Sequence, residues 1–186
     1  GEKIYLHLGR ESYGQQGFTL ESLGLHGQGL EHLYNALGKR SGLIIVSGPA
    51  GGGKTTLLYT LLDLLVAPDV SVATIEEHIE HHLPNVTQTQ VNRDAGISCS
   101  AGLRALLKHD PDVVMVGDIH DRDTALLAVS AANRGKMVLV GIEAASAAGA
   151  IEKIASSGVS LLQLSAVLRA SVHTRVVRKL CRYCKE

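Results

Sequence analysis

The run "LIIVSGPAGGGKTTLLYTLL", from Leu43 to Leu62, limits what this chain can fold into more than any other stretch. Leu43 to Val46 is continuously apolar, which fits a strand buried on both faces. "GPAGGGKT", from Gly48 to Thr55, then fits G-x-x-x-x-G-K-[ST] at every required position, and an apolar helix follows, expected from about Lys54 to Val66. Glycines let consecutive backbone N–H groups turn inward toward a phosphate. The start of the helix adds its partial positive charge. The expected cradle is Gly48, Pro49, Ala50, Gly51, Gly52, Gly53, Lys54, Thr55 and Thr56. Lys54 has the reach for β- and γ-phosphate oxygens, and the Thr55 hydroxyl suits Mg²⁺. ATP and Mg²⁺ are the implied ligands.

The rest of the chain alternates in kind. "VSVATIE" and "DVVMVGD" read as strands, as does "KMVLVGI". "NVTQTQVN" alternates and suits a sheet edge. Between them, "CSAGLRALLKHD", "RDTALLAVSAANRG" and "SAAGAIEKIASSG" have helical spacing. "LLQLSAVLRASV" also reads as helical, with "HTRVVRKL" as a last strand. The expected fold is α/β, a mostly parallel sheet with helices on both faces. "KIYLHL" near the start reads as a strand, and the glycine-containing stretch after it as a loop. Residues 1–38 are therefore expected to be a tail end plus connector, 39–180 the nucleotide-binding domain, and 181–186 the start of a further element.

Two strand ends supply acids. "VVMVGD" ends at Asp118 and "VATIE" at Glu76. In an open parallel sheet the ligand lies beyond the carboxyl ends of the strands. Asp118 is the expected Mg²⁺-holding acid, and Glu76 the expected group to orient and deprotonate water. Glu77 and Glu80 follow, as does "HIEHH"; these read more simply as a solvated polar loop.

Composition narrows the functional class. Eighteen basic and eighteen acidic residues balance, so no large field points to nucleic acid or an anionic membrane. There is no Trp and one Phe, which argues against a base-stacking surface. No apolar run reaches the roughly 18 residues needed to span a bilayer. Gly1 stands where a Met would begin a full chain, so a fragment of a longer protein is expected. Cys99 reads as a small buried residue. Cys181 and Cys184 form a CxxC, half of a possible Zn²⁺ site that would need a second pair.

These motifs, in this order, resemble the secretion ATPases that power type II secretion and type IV pilus assembly. The likeness begins at "GEKIYL" and includes "GLIIVSGPAGGGKTTLLYTLL". It continues through "TIEEHIEHHLPNVTQTQVN", similar to the family's acidic box, and "AGLRALLKHDPDVVMVGDIHDRDTA", similar to its second acidic strand. "RVVRKLCRYCK" resembles the entry to a small zinc-binding subdomain. The resemblance implies a RecA-like ATPase domain working as a cytoplasmic homo-hexamer at the inner membrane. It further implies an inner-membrane platform protein as partner. By resemblance Glu76 takes the general-base position, and Arg104 that of an arginine stabilising charge.

The chain departs from that family at several points. Asp118 stands where glutamate is usual, and His120 where arginine is. The family's paired histidines correspond to Lys136 and Glu143, and His7 replaces another arginine. Groups that would sense the γ-phosphate are thus altered, while those for the β-phosphate and Mg²⁺ remain. Losing a charge-stabilising arginine can cost about 10³–10⁵ in phosphoryl-transfer rate. Three readings follow: a motor ATPase, a nucleotide-binding module with weak or no hydrolysis, and, less fitting, a small-molecule kinase.

Overall fold

The computed structural model describes residues 18–178. The expected strand at Lys3–Leu8, His7 and the CxxC of Cys181 and Cys184 lie outside the described residues.

Six strands form one sheet: β1 (Gly42–Ser47), β2 (Val72–Glu76), β3 (Thr87–Gln90), β4 (Val113–Val116), β5 (Met137–Ile142) and β6 (Leu168–His173). Their spatial order is β3-β2-β4-β5-β1-β6, and every pairing is parallel. Every residue of β1, β2, β4 and β5 is buried. That is why their sequences are apolar runs rather than alternating ones. The edge strand β3, "TQTQ", is only half-buried.

Helices cover both faces. On one, Leu43 and Ile45 of β1 join a cluster with residues from α3 (Cys99–Leu106), α4 (Arg122–Asn133), α5 (Ala147–Ser156) and α6 (Leu161–Val167). On the other, Ile44 and Val46 pack with residues of α1 (Gly27–Leu37) and α2 (Lys54–Asp63). The period-two alternation of the strand divides β1 between two cores.

The C-terminal reading needs correction. "LLQLSAVLRASV" is not one helix: α6 stops at Val167 and β6 begins at Leu168. Residues 174–178, expected to be strand, are not. Leu168–His173 pairs in parallel with β1, and this distant partner, rather than local spacing, decides its conformation. At the other end, "LESLGLHGQGLEHLYNAL" forms a turn and then α1, because Gly24 takes a left-handed φ of 96° that ends the first segment.

Candidate nucleotide site

The glycine loop links β1 to α2 at the carboxyl end of the sheet. Gly51 (φ 68°) and Gly53 (φ 85°) adopt left-handed backbone conformations that other residues rarely tolerate. Gly53 is the N-cap of α2 and supplies no side chain to the helix's first amides. A helix start without a side-chain cap is the arrangement a phosphate needs. Lys54 folds back over the loop, donating from Nζ to the carbonyls of Gly48 and Pro49, both at 3.2 Å.

Asp118 follows β4 and reaches the same place. Its Oδ2 lies 3.8 Å from Lys54 Nζ and 3.9 Å from His120 Nε2. Its Oδ1 is buried and has no hydrogen-bond partner among the described residues. A buried carboxylate oxygen without a donor is costly unless something else satisfies it. Burial raises the Asp118 pKa, opposed by the nearby charges of His120 and Lys54. This orphaned oxygen, with the Thr55 hydroxyl beside it in the same cavity, fits a hard cation such as Mg²⁺. Among the described residues no group of three or more His, Cys, Asp or Glu side chains is placed to hold a metal; the CxxC expected to open a Zn²⁺ site lies outside them.

Two glycines let Asp118 come so close. A methyl on Gly141 of β5 would collide with the Gly117 carbonyl. The Ile119 amide then donates to Gly141 O at 2.9 Å and fixes the turn after Asp118.

Glu76 is 3% exposed. It lines a cavity of about 220 Å³ together with Lys54, Thr55, Glu77, Glu80 and Asp118. Its carboxylate is already engaged. Tyr59 Oη donates to Oε2 at 2.5 Å, while Thr74 Oγ1 and Gln88 Nε2 donate to Oε1 at 2.5 and 3.3 Å. A carboxylate has about four acceptor positions, so one remains for a water from the cavity. Glu80 lies nearer the loop and also lines the neighbouring cavity over Gly51, Gly52 and Gly53.

Several sequence expectations change here. Lys136 precedes β5 and so lies at the opposite end of the strand from the site, about 20 Å along it. It pairs there with Asp110 at 2.5 Å. Of the two positions that the resemblance pairs with family histidines, only Glu143, just after β5, lies at the phosphate end. Arg104 is exposed in the last turn of α3, toward the end where the strands begin, and lines neither cavity over the phosphate loop. Asp121 caps α4: it accepts from Thr124 N at 2.8 Å and from Thr124 Oγ1 at 2.7 Å. Cys99 is half-buried, and burial pushes its thiol up to about 11.

Sequence reasoning missed the other shoulder of the site. Thr174 N donates to Ser47 O at 2.8 Å and ties the chain after β6 to the entry of the glycine loop. Ser47 Oγ donates to Val172 O and lies 3.1 Å from His173 Nδ1, while Arg175 Nε donates to His173 Nε2. An accepting Nε2 places the ring proton on Nδ1, which donates to Ser47 Oγ. A cavity of about 440 Å³ opens here against Gly52, Gly53 and Thr56, lined by Leu23, Leu25 and Val176 among others. Only the apolar "LGL" and "VV" pairs hinted at it.

A parallel sheet, a glycine loop with left-handed turns and a half-buried acid beside the loop lysine define a RecA-like P-loop nucleotide-binding domain. The chain belongs to the Type II/IV secretion system protein family, whose profile matches residues 1–186. It is 39% identical over 186 residues to the type II secretion system protein E of Pseudomonas aeruginosa, covering all of this chain and 37% of that protein. It is 38% identical over 186 residues to the type IV pilus assembly ATPase PilB of the same organism, covering all of this chain and 32% of that one. The chain therefore spans about a third of the length of the curated relatives it matches. Among solved structures, the pilus retraction motor PilT with bound ADP matches at a TM-score of 0.71 and 29% identity, over 82% of this chain and 46% of that one. The ATPase DotB of Legionella pneumophila matches at 0.63 and 23% identity, over 80% and 42%, and shares the fold.

Proposed function

We propose that this chain is the nucleotide-driven part of a motor ATPase serving type II secretion or type IV pilus assembly. The observation that carries the proposal is the buried, unpartnered Asp118 oxygen at the mouth of the glycine loop, within reach of Lys54. In this reading the amides at the start of α2 and Lys54 hold the β- and γ-phosphates. Thr55 and Asp118 hold Mg²⁺, which draws charge from the phosphate oxygens. Base and ribose occupy the cavity between the glycine loop and Thr174–Val177, with apolar contacts from Leu23, Leu25 and Val176. Glu76 orients the attacking water through the acceptor position that its three protein donors leave open. The relatives' names support a role in type II secretion or type IV pilus assembly; the setting proposed with it is a cytoplasmic assembly of several copies, at the inner membrane, acting on a platform protein. The motor unit proposed here is residues 39–180, with the N-terminal 38 residues as connector and Cys181 and Cys184 opening a Zn²⁺ subdomain. No helix among the described residues is long and apolar enough to cross a membrane.

A second reading has its own support. Among the described residues no arginine lines the cavity shared by Lys54, Asp118 and Glu76, and Glu76 already accepts from three protein donors. A site of that kind grips nucleotide and turns it over slowly or not at all. Phosphate release from Mg·ATP, measured against protein concentration with Lys54→Ala as blank, separates the two. Turnover rising faster than linearly supports a motor whose sites are completed between copies. Measurable affinity without turnover supports the binding module.

A further inference from the structure

We propose that Tyr59 and Gln88 are positioning residues that clasp the acidic segment 77–83 from two sides and set it against the phosphate loop. The proposal rests on the reading of this site as one that hydrolyses nucleotide.

Glu76 is the centre of the clasp. It is a buried carboxylate with no ion-pair partner among the described residues, held by neutral donors alone. Such a group costs stability, and an apolar joint of the same shape would hold the elements together better. Its presence at the carboxyl end of β2, opening on the same cavity as Lys54, points to use rather than to packing.

Tyr59 supplies the first side. It is fully buried in α2, the helix that begins at Lys54. Its hydroxyl donates to Glu76, and the Glu80 and His81 backbone lies near enough to offset part of the upward push that burial and Glu76 give its pKa. Its ring meets that of His81 edge to face, with centroids 6.4 Å apart. The residue thus joins the phosphate-loop helix directly to the segment that carries Glu77 and Glu80.

Gln88 supplies the second. Its Nε2 donates to Glu76 Oε1 and, at 3.0 Å, to His81 O, while its Oε1 accepts from Leu83 N at 2.8 Å. Two residues on, Gln90 Oε1 accepts from Ile79 N at 3.2 Å. Residues two apart on a strand face the same way. The sequence "TQTQ" buries no large apolar side chain because its glutamines fasten the neighbouring loop instead. Segment 77–83 therefore hangs between α2 and the sheet edge.

The test uses Tyr59→Phe and Gln88→Met in the full-length protein, with three readouts: amide hydrogen exchange without nucleotide, ATP affinity, and phosphate release. The expected result is faster exchange in residues 77–83, by about tenfold, the scale of one or two lost hydrogen bonds. Exchange in α2 stays unchanged, ATP affinity stays within about twofold, and kcat falls by about tenfold. Unchanged exchange in 77–83 in both variants overturns the proposal. So does a rise spread evenly over the molecule, which marks a merely structural role, or a weaker ATP affinity with kcat intact. If the unaltered protein binds ATP but releases no phosphate, the hydrolysis reading fails by itself, and the exchange data still decide whether the clasp exists.

Discussion

Lys54 Nζ and Asp118 Oδ2 stand 3.8 Å apart, across the gap between the first turn of α2 and the end of β4. Lysine and aspartate here have other claims on them: the lysine also bonds two loop carbonyls, and the aspartate keeps one oxygen without a donor. The pair is loose enough for both groups to turn to a ligand. Lys54→Ala should therefore abolish nucleotide binding while leaving the fold intact. Titration of a fluorescent ATP analogue checks this, and unchanged affinity would remove the loop from its assigned role.

Asp118→Asn should make the protein more stable and less functional at once. Burial raises the Asp118 pKa, so the native state holds that proton more tightly than the unfolded chain. Its contribution favours folding below the unfolded pKa and is lost as pH rises through the shifted one. At pH 7 the charged, desolvated group is a cost that asparagine removes. A gain of about 1 kcal/mol would raise Tm by roughly 2–4 °C in a chain of this size. Mg²⁺-dependent nucleotide affinity should fall in the same protein. Thermal melts over a pH series that starts below the ordinary carboxyl range should show the stabilisation growing as pH rises through the shifted pKa and levelling above it.

Glu76→Gln should spare nucleotide binding and stop turnover. The amide keeps the shape but turns one acceptor into a donor, facing Tyr59 or Thr74 and Gln88. Some loss of stability, on the order of 1–3 kcal/mol, is expected from the mismatched hydrogen bonds. Denaturant melts and single-turnover phosphate release measure the two effects separately. Equal turnover would take the water-orienting role from Glu76.

Gly141→Ala tests how tightly the site is built. The added methyl meets the Gly117 carbonyl, which is backbone and cannot step aside. Overpacking of this kind typically costs about 1–3 kcal/mol. Because Gly117 immediately precedes Asp118, Mg²⁺-dependent affinity should drop along with Tm. A stable variant with normal affinity would show that β4 and β5 can part without disturbing Asp118.

Much of this architecture is legible in the sequence for a physical reason. Strands buried on both faces must be apolar throughout, so "LIIV", "VVMV" and "MVLVGI" announce themselves. The glycine loop is legible because its backbone demands are met by few residues. The end of α6 is not. "LLQLSAV" and "LRASV" share an apolar rhythm, and only pairing with β1, more than a hundred residues earlier, divides them. The partners of Glu76 were equally hidden, since Tyr59 and Gln88 lie 17 and 12 residues away on two different elements. Asp121 was readable as Asp followed three residues later by Thr, the spacing of a helix cap.

Lys136 and Glu143 bracket a single strand, yet they answer to separate demands. One completes an ion pair beneath the sheet, and the other adds negative charge near Asp118 at its mouth. Effects at positions so far apart, with no shared neighbour, usually add. Restoring histidine at both should change stability and nucleotide affinity by the sum of the single changes. What looks like one motif along the chain would then behave as two independent letters, each free to drift without the other.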